Sequence, residues 1–383
     1  MTFVDFIAIF ATIVISVFVT FYFGKRWQFW FNLNLTGYFR IIYWGTVCFA
    51  GLSLIFARLL DGFIPSYIHL SLISISGLMI CSVFIATIFD ITYWFSKKRL
   101  KPNLWLKVSF IIAVVALFCF GHEMAINPQI VHYKVEINKP AHVEHLRIVQ
   151  LSDIHINEHT STKMIQEMVE KVNALEPDFI VITGDTLDKS LKPFLEYGFD
   201  KQFQQLKPKY GSYIIFGNHE YLGINDANNR EDDIINAFKK ANLKVLKDDI
   251  VYLDEVGITL IGRDDFSSSR YDIKRASLSD LILFTDTEKP IILLDHQPRN
   301  LDEAAEQNVD LMLSGHTHGG QIFPVNILVA MMYKNAKGIY QDTNHHFTSI
   351  VSSGYGFGGP PIRLMTCSEI VVIDVSFAKK STS

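Results

Sequence analysis

The chain has 383 residues and a formal net charge of −4 at pH 7. Apolar residues of the AVILMFWYC set make up 49% and charged residues 19%, which excludes a disordered or low-complexity protein. The small negative charge gives no argument for a nucleic-acid partner, and none is expected. Four cysteines over this length exclude a disulfide scaffold, and the mean hydropathy of +0.21 is high for a purely soluble protein.

Residues 1–121 are predicted to form a membrane domain with four transmembrane helices. Four long apolar stretches carry this prediction: roughly Phe3–Phe23, Ile41–Leu60, Tyr67–Phe89 and Leu104–Gly121. Each is close to the ~20 residues that a helix needs to cross about 30 Å of hydrocarbon. Tyrosine and tryptophan flank the stretches, as in the aromatic belts of membrane proteins. Buried helices of a soluble protein are the alternative, but four successive long runs are hard to bury in one core.

Basic residues predict which side of the membrane each connection faces. The first connection carries Lys25, Arg26 and Arg40, and the third is basic between Lys97 and Lys101. The second connection carries no basic residue, although Arg58 lies near it. By the positive-inside rule, the first and third connections face the cytoplasm. We therefore expect an integral inner-membrane protein whose C-terminal domain is periplasmic or extracellular.

The polar part of the chain is predicted to be an α/β domain over residues 145–376. A linker over residues 122–144 with a short strand, Ile130–Ile137, precedes it, and a tail over residues 377–383 follows. Short apolar runs alternate with helical periodicity, as where the strand Leu146–Leu151 precedes the helix Ser161–Leu175. Such a mixture predicts an α/β sandwich. A small β-meander is predicted from three short runs: Leu243–Leu246, Val251–Leu253 and Ile258–Ile261.

Polar clusters follow five of the apolar runs directly. They are Asp153 with His155, Asp185 after Gly184, the run Gly217-Asn218-His219-Glu220, His296, and the run Gly315-His316-Thr317-His318. Ligand sites of open α/β sheets collect outside the carboxyl ends of strands. We therefore expect the five clusters to converge on one crevice.

The chemistry of these clusters predicts a metal centre. Carboxylate, amide and imidazole donors suit Mn²⁺, Fe, Zn²⁺ or Co²⁺ better than Ca²⁺. Seven or more ligands are too many for one tetrahedral zinc ion, but they fit two ions ~3.5–4 Å apart that share a carboxylate, as in phosphatases and nucleases. Taken singly, each cluster has an ordinary alternative: a turn, a helix cap or a solvated histidine.

The ordered set of motifs resembles that of the calcineurin-like metallophosphoesterases. The matching motifs are Asp153-x-His155, Gly184-Asp185-x-x-Asp188, Gly217-Asn218-His219-Glu220, His296 and Gly315-His316-x-His318. The stretch Leu313–Gln321 and the tail Ser353-Gly354, Pro361–Leu364 and Glu369-Ile370 are similar to a membrane-associated bacterial branch, which includes phosphodiesterases and UDP-2,3-diacylglucosamine pyrophosphatases. The resemblance covers about Leu146–Val375 and implies a four-layer α/β/β/α sandwich.

The resemblance also implies a role for each motif residue. Asp153, His155 and His318 would hold one divalent ion. Asn218, His296 and His316 would hold a second, and Asp185 would bridge both and act in catalysis. His219 would contact the phosphoryl group and protonate the leaving oxygen. Asp188 and Glu220 would orient ligand histidines or local turns, with a helix-capping or surface role as the alternative.

The substrate is less defined than the site. Arg263 and Arg299 are candidates for a phosphate contact, and solvated surface arginines are the alternative for both. The resemblance implies attack of a metal-bridging hydroxide on a phosphodiester or pyrophosphate bond, and membrane tethering favours a lipid-linked or envelope substrate. Two alternatives stay open. A cytoplasmic domain would fit a UDP-2,3-diacylglucosamine pyrophosphatase of lipid A biosynthesis, and a regulatory or receptor protein would use the domain as a phosphate-binding module.

Overall fold

A computed structural model describes residues 3–222, 224 and 230–379, without the side chains of residues 3–13 and 15. The end of the predicted tail, residues 380–383, lies outside this description. The chain divides into two compact units. The first comprises Met1–Glu123 with Gly358–Ile362, and the second comprises Met124–Phe357 with Arg363–Ser383.

The first unit is built from four helices: α1 (Phe3–Phe31), α2 (Gly37–Leu59), α3 (Ser66–Phe95) and α4 (Leu104–Ile126). Among the described residues, α2, α3 and α4 are each long and apolar enough to cross a membrane. They coincide with the second, third and fourth predicted spans. The first predicted span, Phe3–Phe23, falls on α1, and about half of its side chains lie outside the described residues.

An ion pair joins two helices of the helical unit. Asp90 of α3 forms an ion pair with Arg26 of α1. The same carboxylate accepts hydrogen bonds from Tyr22 Oη at 2.7 Å and Trp30 Nε1 at 2.9 Å. A charge placed among apolar helices is costly unless it is paired and hydrogen-bonded. This cluster therefore lets a carboxylate lie within the helical unit.

The second unit contains two six-stranded sheets within the described part of the chain. The first sheet, in spatial order, consists of β1 (Gln129–Pro140), β12 (Glu369–Ala378), β2 (His145–Leu151), β3 (Phe179–Thr183), β4 (Ser212–Ile215) and β5 (Leu243–Val245). The second consists of β10 (Gly338–Asp342), β11 (Phe347–Val351), β9 (Leu311–Ser314), β8 (Ile291–Leu294), β7 (Ile258–Gly262) and β6 (Asp249–Leu253). Strands β2 to β5 run parallel to one another, and so do β7, β8, β9 and β11. Parallel strands bring their carboxyl ends to one edge of each sheet.

Helices cover the outer face of each sheet. Against the first sheet lie α5 (Thr162–Ala174), α6 (Lys192–Glu196), α7 (Phe199–Phe203), α8 (Asn218–Leu222) and α9 (Glu231–Lys240). Against the second lie α10 (Leu278–Ile282) and α11 (Leu301–Glu306), while α12 (Val325–Met332) has no buried residue. Side chains alternate along the strands, so Ile148 of β2 faces the cluster between the sheets and Val149 faces the helices. The predicted four-layer sandwich is confirmed.

Two sequence predictions about strands need correction. The predicted β-meander is wrong, because β5 pairs in parallel with β4 of the first sheet and only β6 and β7 form an antiparallel pair. Strand β5 follows a helix, and a helical crossover returns the chain parallel to the preceding strand. The strand predicted over Ile130–Ile137 is confirmed but is longer than expected, because residues 129–140 form the twelve-residue strand β1, which pairs in parallel with β12.

Candidate metal centre

Strained backbone marks the loops after three parallel strands. The motif residues with positive φ are Asp153 (50°), His155 (51°), Asp185 (50°), His316 (70°) and His318 (49°). Left-handed backbone is uncommon for residues other than glycine, and it clusters at functional sites because the surrounding structure must hold it in place. These loops follow β2, β3 and β9, so their side chains meet at the carboxyl edge of the strands.

Asp153, His155 and His318 form the first donor group. His155 Nε2 and His318 Nε2 lie 3.0 Å apart. Asp153 Oδ1 lies 3.4 Å from His318 Nε2 and 4.0 Å from His155 Nε2. Burial, together with the charges of His155 and Arg363, lowers the pKa of His318 well below its ordinary value. Because a metal binds a neutral imidazole, this trio can hold a divalent ion.

Asp185, His296 and His316 form the second donor group, with Asn218 beside them. His296 Nε2 lies 3.2 Å from Asp185 Oδ2 and 3.3 Å from Asn218 Oδ1. The other ring nitrogen, Nδ1, lies 2.7 Å from the carbonyl of Thr183, so it donates there and fixes the tautomer with Nε2 directed at the group. Burial and the charge of His296 lower the pKa of His316 to about 4, which keeps that ring neutral at pH 7.

The Asp185 carboxylate lies between the two groups. Its Oδ2 is 3.2 Å from His296 Nε2 and 4.0 Å from His155 Nε2. Burial disfavours its charge, but the charges of His296, His219 and His155 hold the pKa of Asp185 well below its usual range. A carboxylate that lies between two sets of imidazole donors matches the donor set that two neighbouring divalent ions require.

Two glycines leave the space that the carboxylates occupy. A Cβ at Gly315 would lie 2.3 Å from Asp153 Oδ2, and a Cβ at Gly217 would lie 2.2 Å from Asp185 Oδ1. No larger residue fits at either position without displacing a donor. The donor set and its packing therefore fit a pair of divalent ions.

His219 and Asp188 lie beside the donor groups. The backbone N–H of His219 donates to Asp185 Oδ1 at 2.8 Å, and its Nδ1 lies 2.6 Å from the Asp188 carbonyl oxygen. Asp188 Oδ1 is 3.2 Å from His219 Nδ1 and 3.5 Å from His155 Nδ1, so it contacts both histidines. Burial opposes the charge of His219, but Asp185 and Asp188 raise its pKa to about 9. The ring can therefore carry a proton at neutral pH.

Glu220 is a fully buried carboxylate that connects the loops after β3 and β4. It accepts four backbone N–H hydrogen bonds: from Gly217 at 2.7 Å, Asp185 at 3.0 Å, Thr186 at 2.7 Å and Leu187 at 3.0 Å. Hydrogen bonds from backbone amides to a carboxylate are among the stronger ones in proteins. Glu220 thus fixes the turn that presents Asp185.

Arg363 is a buried residue of the centre that the sequence did not identify. Its guanidinium donates to backbone carbonyls: Ser353 at 2.7 Å, Gly356 at 2.6 Å, Gly354 at 3.2 Å and Cys367 at 3.2 Å. Its Nη2 also lies 3.3 Å from His318 Nδ1. The loop that it holds is bonded in turn to the first donor group, because the N–H of Gly356 donates to the carbonyl of Asp153 at 2.8 Å. Burial lowers the pKa of Arg363 to about 10, which leaves it charged at pH 7.

The two arginines proposed for a phosphate contact lie in different surroundings. Arg263 is buried, and its guanidinium donates to Asp295 Oδ2 at 3.3 Å and to the Ala276 carbonyl at 3.0 Å. The alternative of a solvated surface arginine is wrong, because the residues that follow β7 and β8 bring Arg263 and Asp295 together inside the domain. A phosphate contact by Arg263 stays a prediction.

Arg299, in contrast, is exposed. Its guanidinium lies 4.6 Å from the centroid of the Phe266 ring and 5.9 Å from that of Tyr333. The Tyr333 ring is 6.2 Å from the ring of His316. Arg299 therefore lies near the second donor group and stays a candidate for a phosphate contact.

Comparison with known proteins gives the family. The family model for calcineurin-like phosphoesterase matches residues 146–320. An uncharacterized metallophosphoesterase of Campylobacter jejuni is 32% identical over 290 residues, covering 74% of this chain and 74% of its own length. One of Helicobacter pylori is 32% identical over 288 residues, covering 74% of this chain and 73% of its own length. A transmembrane protein with metallophosphoesterase domain from Danio rerio is 34% identical over 272 residues, covering 69% of this chain and 60% of its own length.

These similarities agree with the two-sheet sandwich and with the donor groups at its strand ends. The family generally uses divalent metals, and the chain supplies residues that can hold them. Apolar helices precede the domain, as the transmembrane relative would lead one to expect. The chain therefore belongs to the calcineurin-like metallophosphoesterases and is a phosphoester hydrolase.

Proposed function

We propose that this hydrolase is anchored in a membrane and cleaves a phosphodiester or pyrophosphate bond of a lipid-linked or envelope substrate at a two-metal centre. The observation that carries the two-metal centre is the position of Asp185. Its Oδ2 faces His296 Nε2 at 3.2 Å on one side and His155 Nε2 at 4.0 Å on the other. A carboxylate with imidazole donors on both sides is suited to bridging two ions.

The ligands divide between the two ions as the motifs suggest. Asp153, His155 and His318 would hold the first ion and Asn218, His296 and His316 the second, with Asp185 shared. When bound, two such ions lower the pKa of water and polarise the phosphoryl oxygens. The protein's own contribution is to hold the imidazoles and carboxylates fixed in position before substrate arrives.

His219 supplies the proton for the leaving oxygen. Its Nδ1 is held by the Asp188 carbonyl at 2.6 Å, which leaves Nε2 to face the substrate. The charges of Asp185 and Asp188, which raise its pKa to about 9 against the effect of burial, favour the protonated ring. General acid catalysis by such a group typically contributes 10²–10⁴-fold.

The lipid link rests on the helical unit. Helices α2, α3 and α4, with 23, 30 and 23 residues, support anchoring in a bilayer, and an enzyme held there meets lipid headgroups at high local concentration. The basic connections of the sequence favour a substrate on the periplasmic or extracellular side.

Hydrolysis of bis(p-nitrophenyl) phosphate by the purified full chain in detergent tests the reaction. We expect turnover that EDTA removes and that Mn²⁺ or Zn²⁺ restores. His219→Asn should keep its bound metal and lose turnover by about 10²–10⁴-fold. Turnover that survives EDTA, or full turnover in His219→Asn, would contradict the proposal.

A further inference from the structure

Helix α12, Val325–Met332, presents most of its apolar side chains to solvent. None of its residues is buried, and the exposed fractions of Leu328, Met331 and Met332 are 58%, 80% and 74%. The stretch from residue 323 to residue 333 contains no Asp, Glu, Lys, Arg or His. An exposed cluster of large apolar side chains with no charged residue among them is typical of a surface that contacts a membrane or another protein.

The composition of the flanks indicates a bilayer interface as that partner. Phe323 and Tyr333 lie on either side of the helix, and Lys334 and Lys337 follow it. Aromatic rings and lysines at the ends of an apolar helix are typical of segments that lie in the headgroup region. The domain is covalently joined to helices that are long and apolar enough to span a membrane. The full chain therefore brings the catalytic domain to a membrane.

Helix α12 is also close to the metal centre. It packs on the turn His318–Gly320, where a Cβ at Gly320 would lie 2.3 Å from the Cα of Asn326. At its other end, the Tyr333 ring lies 6.2 Å from the ring of His316. A membrane surface that receives α12 would therefore lie close to the candidate metal ligands.

We propose that α12 inserts into the interfacial region of the bilayer and that this contact presents phosphoester headgroups of membrane lipids to the metal centre. The catalytic part of this inference rests on the proposed function, whereas the insertion itself does not. A second copy of the chain is the competing occupant of the same surface.

Spin labelling of the full chain in phosphatidylglycerol–phosphatidylethanolamine vesicles tests the insertion. All labelled proteins start from a cysteine-free chain in which Cys48, Cys81, Cys119 and Cys367 are replaced by alanine. This chain is used once it has been shown to hydrolyse bis(p-nitrophenyl) phosphate. Single cysteines are then placed by Met331→Cys, by Ile112→Cys on α4 as the lipid reference, and by Asn344→Cys in the exposed β10–β11 turn as the water reference. Collisions with oxygen and with a nickel chelate report the depth of each label.

The proposal expects the Met331→Cys label to collide with oxygen more and with the nickel chelate less than the Asn344→Cys label. Nickel access equal to that of Asn344→Cys would overturn it. Dipolar broadening that disappears on dilution with unlabelled chain, without a gain in oxygen collisions, would assign the surface to a second copy and would also overturn it.

Activity separates the inference from the proposed function. The double variant Leu328→Gln with Met331→Gln should hydrolyse phospholipid in vesicles about tenfold more slowly or worse, because two apolar side chains lose their membrane burial. Its turnover of bis(p-nitrophenyl) phosphate in detergent should stay unchanged. Equal loss on both substrates would contradict the role of α12 in lipid presentation. If the unsubstituted chain hydrolyses neither substrate, the proposed function fails, and the spin-label depth still decides the insertion.

Discussion

At the scale of single residues, Arg363 connects the metal ligands to a loop distant from them in sequence. Its guanidinium N–H groups donate to backbone carbonyls of the 353–356 loop and to the carbonyl of Cys367. Its Nη2 also lies 3.3 Å from His318 Nδ1. A buried guanidinium offers five N–H donors in a fixed plane, which no other side chain can reproduce. We infer that Arg363 positions His318 and does not touch substrate.

Arg363→Lys tests that positioning role, because lysine keeps the charge but cannot reach the same set of carbonyls. We expect the apparent affinity for Mn²⁺ to fall by about 10–100-fold, as when other groups that orient ligands are removed, with turnover largely recovered at saturating metal. Metal titration of activity and calorimetry measure this. Arg270→Lys, at an exposed position, is the matched control. A lower melting temperature with unchanged metal affinity would show a purely structural role.

The sequence predicted which donor residues come together, but it was uninformative about the surroundings of the arginines. Asp153, His155 and His318 lie close together as expected, because each follows the end of a strand, which fixes the approximate location; their role as metal ligands stays a prediction. The surroundings of Arg263 and Arg363 depend on which carboxylates and carbonyls the tertiary fold brings to them. Local sequence carries no information about that, and only the resemblance of the tail around Arg363 pointed to the segment.

At the scale of elements, the loops after β3 and β4 are held together by one carboxylate. Glu220 accepts backbone hydrogen bonds from Gly217 on its own loop and from Asp185, Thr186 and Leu187 on the other. The arrangement fixes the backbone of Asp185 in its positive-φ conformation. The stability of this pair of loops should therefore depend on the charge at position 220.

Glu220→Gln should destabilise the protein by about 1–3 kcal/mol, since the amide N–H₂ of glutamine would face backbone donors and leave at least one of them unpaired. Thermal unfolding of the metal-free full chain in detergent measures the change. Glu167→Gln, on the exposed face of α5, should leave the melting temperature unaltered. Equal melting temperatures for the two variants would show that these hydrogen bonds do not hold the loops.

Helices and strands with a strong periodic pattern could be predicted from the sequence, but the neighbouring elements that they pair with could not. Helix α5 covers Thr162–Ala174 with Ser161 as its N-cap, one residue inside each end of the predicted helix. The short run at Leu243 is a strand as predicted, but it belongs to the other sheet, because three apolar residues carry no information about their neighbours. Strand β10 and helix α12 had no prediction, since neither shows a buried face in its sequence pattern.

At the scale of the whole molecule, the side of the membrane decides which phosphoesters the enzyme can reach. The basic residues near Lys25 and Lys97 predict that the hydrolase domain faces outward. C-terminal fusions to alkaline phosphatase and to green fluorescent protein measure this directly. We expect active phosphatase and dark fluorescent protein. The opposite pair of results would put the domain in the cytoplasm and make a nucleotide-linked lipid the better candidate substrate.

The most direct test of the central claim is the electron paramagnetic resonance spectrum of the full chain loaded with Mn²⁺. Two ions that share Asp185 at the ~3.5–4 Å separation of two-metal sites should be exchange-coupled. The account predicts two Mn²⁺ per chain and a coupled multiline spectrum that Asp185→Asn abolishes. A single Mn²⁺ per chain with an isolated six-line signal, the same in both proteins, would contradict it.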